Sequence, residues 1–391
     1  MTRLSGRRIV VALALSSVVA ASACSESDPP PSERAPGALV SSRPLTTAAA
    51  LPSAARTDLI TYLSEDAAGR TILVSGTVAI PRGDAPDGGW PVISWAHGTT
   101  GVGDACAPSA DTVGGPAHGY LSRTTAMLDR WVADGYVVVQ TDYEGLGTPG
   151  GHPYMNGDSA ANTVVDIVRA AREADPGVGT RWTAMGHSQG GHAALFTAAH
   201  GAERAPELEL QGAVAYAPGS RTSETAAYFE TGGPGIAQAL SFLPVLLLGA
   251  EAADPDIAAD AMLTDASRPL LAAARTGCMD DVRAAAATVP VDQVFAPGAD
   301  VGRLTEYFAT QEPEALTLTV PTLVVQGTTD VLVSRQITDE VTNSLCSKGS
   351  PVSYEVYDGA DHRGVLEAAH DDVRSFVEEV SSGEAPAAVC S

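Results

Sequence analysis

Five consecutive residues, Gly186-His187-Ser188-Gln189-Gly190, have the types and spacing for nucleophilic chemistry. A short apolar stretch with strand character, Trp182 to Met185, precedes them, and a small-residue segment with helix character, Gly191 to His200, follows. A serine hydroxyl is a poor nucleophile at neutral pH, so it needs a base beside it and open space around it. A sharp strand-to-helix turn provides the space, because glycines on both sides let backbone and substrate approach closely. The helix N-terminus then offers free N–H groups to developing negative charge. In that context G-x-S-x-G predicts Ser188 as the nucleophile at an elbow. The same pentapeptide also fits a tight turn with no chemistry, so the choice falls to its partners.

Those partners are expected in the order serine, acid, histidine. Val320 to Gln326 is an apolar, strand-like run that ends in Gly327-Thr328-Thr329-Asp330. Val352 to Tyr357 is a second such run, followed by Asp358-Gly359-Ala360-Asp361-His362 and a helix expected near Val365. Both Asp330 and His362 therefore fall just past a strand's C-terminal end. His362 would take the Ser188 proton and return it to the leaving group, while Asp330 would hold the imidazole tautomer and stabilise the imidazolium. Asp358 and Asp361 lie too close to His362 along the chain to be obvious orienters. His187 and His192 are expected to pack or hydrogen-bond locally, and His370 to be a surface or packing residue two turns into the last helix. His118, His152 and His200 lack a strand-end context. An earlier strand, Pro91 to Ala96, runs into His97-Gly98-Thr99-Thr100-Gly101. A turn there supplies one backbone N–H to an oxyanion, assigned to Thr99 with Thr100 as the alternative, and Gln189 supplies the other.

These residues need a scaffold that presents strand ends together. Strand-like and helix-like runs alternate: Thr71 to Ile80, Val92 to Ala96, a helix over Thr125 to Ala133, a strand over Tyr136 to Thr141, a helix over Ala160 to Ala174. Alternation of this kind predicts an α/β class chain with a mostly parallel sheet flanked by helices. With the elbow it predicts the α/β-hydrolase fold over residues 46–391. After the strand Gly212 to Ala217 the pattern gives way to an alanine-rich, helix-like stretch, read as a helical cap insertion at about 219–310. Within it Phe242 to Leu248 is strongly apolar, fitting either an acyl-binding wall or a buried core helix.

Three segments together resemble the secretory lipase family, the lipase A-type α/β-hydrolases. They are Trp95-Ala96-His97-Gly98-Thr99-Thr100-Gly101, Asp142-Tyr143-Glu144-Gly145-Leu146-Gly147, and Gly186-His187-Ser188-Gln189-Gly190-Gly191. The resemblance runs from about Thr46 to the C-terminus. It implies a triacylglycerol lipase or carboxylesterase that needs no metal, and puts the Asp142-to-Gly147 segment near the active-site floor.

The N-terminus reads as an export signal over residues 1–23. Arg3, Arg7 and Arg8 precede an apolar core, Ile9 to Val19, too short to cross a membrane. Ala21-Ser22-Ala23-Cys24 resembles a bacterial lipobox, which makes Cys24 the lipidation site. The usual leucine is replaced by Ala21, which keeps cleavage to an untethered product as the alternative. Residues 24–45, rich in Ser, Pro and charge, read as a flexible spacer. The formal charge is −24, and loss of three arginines with the signal takes it to −24 − 3 = −27. Phosphate binding needs a basic face, so nucleic acid is excluded as a partner. Besides Cys24 there are Cys106, Cys278, Cys346 and Cys390, an even set that in an exported chain implies disulfides. Four cysteines allow three connectivities; the family resemblance favours Cys106–Cys278 and Cys346–Cys390. No C-x-x-C, H-E-x-x-H or clustered His/Cys spacing argues for a metal.

The reading is an extracytoplasmic serine carboxylesterase or lipase, either secreted or a cell-membrane lipoprotein. It would hydrolyse a small-molecule or lipid ester through an acyl-serine, with no cofactor and with membrane contact through the N-terminal lipid. A peptidase or amidase on the same fold, or a surface lipoprotein that binds acyl ligands without turnover, are the alternatives.

Overall fold

The structure, a computed structural model, describes residues 1–2, 35–231, 236–291 and 293–383. Nine strands form one sheet in the order β1-β2-β3-β5-β4-β6-β7-β8-β9. The first three, Leu39–Pro44 (β1), Arg56–Glu65 (β2) and Thr71–Ile80 (β3), form an antiparallel edge, and β3 joins the rest by antiparallel pairing to Val137–Thr141 (β5). Trp90–Ala96 (β4), β5, Val178–His187 (β6), Glu209–Tyr216 (β7), Thr322–Gly327 (β8) and Val352–Tyr357 (β9) run parallel. Central strands such as β5, Val-Val-Val-Gln-Thr, are buried on both faces, as β-branched strands covered by helices on each side should be.

Helices His118–Ala133 (α1), Gly157–Ala174 (α2) and Gln189–Arg204 (α3) cover the sheet. The buried face of α1 carries Leu121, Thr124, Met127, Leu128 and Trp131, a period of three to four residues. Asn156 caps α2 by accepting the Ser159 N–H at 3.0 Å. Between β7 and β8 the chain forms a helical insertion. Its longer helices are Thr222–Thr231, Leu243–Ala253, Arg268–Thr276, Met279–Ala286 and Val301–Ala309. The insertion has an apolar core of its own, including Leu243, Val245, Leu247, Leu270 and Phe308.

The sheet extends further toward the N-terminus than expected. Leu39–Pro44, assigned to a spacer over 24–45, is a strand paired to β2. It is an edge strand with five of its six residues exposed, so it has no buried face to impose the alternation that marks a strand in sequence. Other boundaries moved outward: α1 starts at His118 rather than Thr125, and β6 at Val178 rather than Trp182. His370 is the first residue of the last helix, His370–Ser382, and its ring packs edge-on against Trp131. Residues 3–23 of the expected signal, Cys24 and Cys390 lie outside the described residues. No described helix is long and apolar enough to cross a membrane.

Candidate active site

The elbow is built by close backbone contact. Ser188 links β6 to α3 at φ 58° and ψ −114°, a left-handed conformation costly for a non-glycine residue. A Cβ on Gly186 would stand 2.0 Å from the Gly190 carbonyl oxygen, and one on Gly190 would stand 1.9 Å from the Ala96 carbonyl oxygen. Any larger residue at either position must push β4, β6 and α3 apart. The strained turn is held at both ends: the Ser188 N–H donates to Tyr216 O at 2.9 Å, and Ser188 O accepts from His192 and Gly219 N–H. Gln189 opens α3, so its N–H has no carbonyl four residues back within the helix.

The acid and histidine come together at the ends of β8 and β9. His362 Nδ1 lies 2.7 Å from Asp330 Oδ2, and both side chains are buried. Asp330 Oδ1 accepts the Leu332 and Val333 N–H groups at 2.9 Å each, and Oδ2 accepts from Gln326 Nε2 at 3.0 Å. Burial alone would raise the Asp330 pKa. The His362 hydrogen bond and charge, helped by the two backbone N–H groups, outweigh it and hold the carboxyl below its usual range. The other two acids turn elsewhere: Asp358 accepts from the Thr328 hydroxyl, and Asp361 accepts the N–H groups of Arg363 and Gly364.

Ser188 and His362 line two hollows together. The larger, about 440 Å³, is walled by Met155, Tyr228, Phe242, Leu246 and Leu332. The smaller shares Phe242 and Leu332 with it and is lined also by Gly98, Thr99, Tyr120 and Arg363. Thr99 faces this smaller hollow, with its hydroxyl 2.8 Å from Tyr154 Oη. Thr100 does not line either hollow beside Ser188, and its carbonyl accepts the Met279 N–H.

Several neighbours have no sequence signature. The His362 carbonyl can only accept, so His187 Nε2, 2.7 Å away, carries the proton. His187 Nδ1 then accepts from Tyr120 Oη at 3.0 Å, and Tyr120 Oη accepts the Gly98 N–H at 2.8 Å. One chain of hydrogen bonds thus joins the His97–Gly98–Thr99 turn to the His362 loop. Burial and the nearby His362 push the His187 pKa down to about 3, which keeps the ring neutral. His152 is handled similarly. Its Nδ1–H donates to Glu144 O at 2.8 Å, so Nε2 accepts the Gln189 amide at 2.8 Å. Tyr120 and His152 reach the site from a helix and a loop far away in sequence, and only the fold reveals them.

Asp142 is buried beneath the site, not in it. It accepts from the Ser75 and Ser109 hydroxyls and from the Ser109 N–H, tying β3 and β5 to the loop after the Thr99 turn. Burial raises its pKa against these hydrogen bonds. The next residue, Tyr143, sits at φ 70° and donates its hydroxyl to His97 O at 2.9 Å.

A disulfide, Cys106–Cys278, joins the loop after the Thr99 turn to the insertion across 172 residues. An isolated bridge pairs Gly101 with Cys278 beside it. Cys346 is also disulfide-bonded.

The profile of the secretory lipase family matches residues 121–369, which span α1 to the His362 loop and include Ser188 and Asp330. The chain belongs to the secretory lipase family. A search of curated proteins found no match. Among solved structures, Candida antarctica lipase A in its closed state superposes with a TM-score of 0.73 at 19% identity, over 91% of this chain and 84% of that one. A ligand-bound form of the rice cell wall degrading esterase LipA from Xanthomonas oryzae gives 0.66 at 21%, over 90% and 99%. A putative hydrolase from Legionella pneumophila gives 0.69 at 20%, over 86% and 98%. At these identities the likeness establishes the α/β-hydrolase fold. Membership of the secretory lipases makes the protein a hydrolase of the lipase/esterase kind. The family and the Cys106–Cys278 disulfide agree on a place outside the reducing cytoplasm.

Proposed function

We propose that this secretory lipase is a serine carboxylesterase or lipase that works through an acyl-Ser188 intermediate. The observation that carries the reading is that strained Ser188 opens on both hollows beside His362, whose other nitrogen is hydrogen-bonded to buried Asp330. His362 Nε2 takes the Ser188 Oγ proton as Oγ attacks the ester carbonyl carbon. The tetrahedral oxyanion accepts from the N–H groups of Gln189 and Thr99. Collapse breaks the bond to the alcohol oxygen, which leaves with the proton from His362. Water then attacks the acyl-serine, gives a proton to His362, and the acid departs as Ser188 recovers its own. Asp330 stays ionised throughout and holds the Nδ1–H tautomer.

The insertion, as a cap over residues 219–310, supplies Tyr228, Phe242 and Leu246 to the large hollow. Its apolar lining suits the acyl chain of a small-molecule or lipid ester. Cys24, as a lipidated N-terminus, would hold the enzyme at the outer face of a membrane. The test is labelling with a fluorophosphonate and turnover of 4-nitrophenyl esters. Both should be lost in Ser188→Ala with the melting temperature kept, and normal labelling of that variant would remove Ser188 from the mechanism. Release of Cys24→Ser from the membrane fraction of a bacterial host tests the anchor, which an unmodified, soluble wild-type chain would refute.

A further inference from the structure

The smaller hollow carries charge that the ester mechanism does not use. Arg363 follows His362 directly and lines the hollow with Ser188, Thr99 and Tyr120. Arg283 lines it too, and both arginines line an adjoining cleft that continues past Thr99 and Tyr120. Arg363 is half-buried, with its guanidinium 5.2 Å from the centre of the Tyr120 ring. Among the described residues it makes no hydrogen bond or ion pair through its side chain. The chain has 47 acids against 23 lysines and arginines, and most of the described arginines, Arg283 among them, pair with a carboxylate. Asp280, felt by Arg363 only at a distance, is already paired with Arg283. Burial and the neighbouring Arg283 and Arg123 press the Arg363 pKa down, and an anion beside the arginines would offset their mutual repulsion.

We propose that Arg363, assisted by Arg283, forms a subsite for an anionic group on the alcohol portion of the ester, a carboxylate or phosphate. This rests on the acyl-Ser188 reading. The large hollow, with Met155, Phe242 and Leu246 in its walls, takes the acyl chain, which leaves the alcohol to the hollow that Arg283 and Arg363 line. There His362 protonates the departing oxygen, and Arg363 is its next neighbour in the chain. A guanidinium presents paired donors that match the oxygens of either anion. Arg283 stands on the helix that begins one residue after Cys278, so the disulfide holds it against the Thr99 turn.

The test compares kcat/KM for 3-(butyryloxy)benzoate with that for its neutral amide, 3-(butyryloxy)benzamide, and adds 3-(butyryloxy)phenyl phosphate as the second anion. Wild type should prefer at least one anion by roughly tenfold, the scale of a charge-assisted hydrogen bond, and 0.5 M NaCl should shrink the preference. The anion-to-neutral ratio should collapse in Arg363→Gln, fall in Arg283→Gln, and partly return in Arg363→Lys. A purely structural role for Arg363 would lower all rates together and leave the ratio intact, which would overturn the proposal. So would a wild-type ratio near one, or a preference for the succinyl half-ester of a neutral phenol, which would put the anion on the acyl side. Loss of turnover and of fluorophosphonate labelling in the wild type would instead sink the underlying serine mechanism.

Discussion

The sheet layer and the cap are built on different rules. Around Ser188 each residue type is set by backbone contact: Gly186 and Gly190 have carbonyl oxygens within 2.0 Å of where a Cβ would be. Ser188, Tyr143 and Ala217, three of the five non-glycine residues with positive φ among the described residues, sit just past strand ends here. The cap has short helices and an apolar core of its own, which side-chain packing rather than backbone strain holds together. The sheet layer fixes chemistry by geometry, whereas the cap shapes a volume. Substitutions should therefore act on rate in the first region and on selectivity or stability in the second.

The largest effects belong to the sheet layer. Ser188→Ala and His362→Ala should each lower kcat by about 10⁴- to 10⁶-fold, since such residues act as a unit. Asp330→Asn should cost less, about 10⁴-fold, by losing the correct tautomer. Asp358→Asn, which disturbs only the Thr328 contact, should leave steady-state kinetics within about twofold, as surface changes commonly do. A damaging Asp358→Asn with a mild Asp330→Asn would reverse the assignment of the acid.

How much of this was legible in sequence follows the same division. Ser188, Asp330 and His362 could be read because each follows an apolar strand, and a parallel sheet brings the C-terminal ends of such strands together. Tyr120, His187 and His152 could not be given their contacts to the site, because the hydrogen bonds that join them to Gly98, His362 and Gln189 span 22 to 175 residues and leave no local pattern. β1 was lost because a strand exposed on both faces needs no apolar residues. The Phe242-to-Leu248 run was ambiguous because it serves two purposes at once: Phe242 and Leu246 line the large hollow, while Leu243, Val245, Leu247 and also Leu246 belong to the cap core.

Next in size is the staple between the two regions. Cys106–Cys278 closes a loop with a sequence separation of 172 residues. Loop-closure entropy assigns it up to about 5 kcal/mol. The double variant Cys106→Ala/Cys278→Ala should melt well below wild type and lose the alignment of Arg283 with the Thr99 turn. Calorimetry gives the first result, and unchanged melting would mean that packing alone holds the cap.

Within the cap, neighbouring leucines should behave oppositely. Leu246→Trp fills the large hollow and should shift preference toward shorter acyl chains, by about 0.8 kcal/mol for each methylene denied burial, with acetyl-ester turnover little changed. Leu247 is fully buried in the cap core, so Leu247→Trp should cost roughly 1–3 kcal/mol through overpacking and leave the chain-length profile alone. Chain-length profiles and melting curves on the same two variants decide it. A lowered melting temperature with an unchanged profile at both positions would remove Leu246 from the acyl wall.

The smallest effect separates the regions by pH. All eight histidines lie outside residues 219–310. Burial is the leading cause that lowers five of them: His97 and His192 to about 4, His152 and His187 to about 3, and His370 in the same direction. Their folded pKa values lie below the ordinary 6.5, so the unfolded chain binds more protons than the folded one below that pH. The stability they contribute is full above about pH 6.5 and is lost as pH falls toward 4 and 3. The cap has a lower window. Arg303 and Arg275 lower the pKa values of Asp254 and Asp260, so those pairs weaken only below the ordinary carboxylate range, and they are exposed enough to contribute little. Between pH 7 and 5 acid should therefore loosen the sheet layer first. All four tryptophans, Trp90, Trp95, Trp131 and Trp182, lie there, so the native fluorescence melting temperature should fall over that range. Leu246→Trp adds a reporter to the cap for comparison. His192→Gln keeps a donor for the Gln311 carbonyl and removes one titration, so it should flatten the pH slope by up to about 1.4 kcal/mol per pH unit. A native-fluorescence melting temperature that stays level from pH 7 to pH 5 would show that the buried rings of the sheet layer do not set its acid limit.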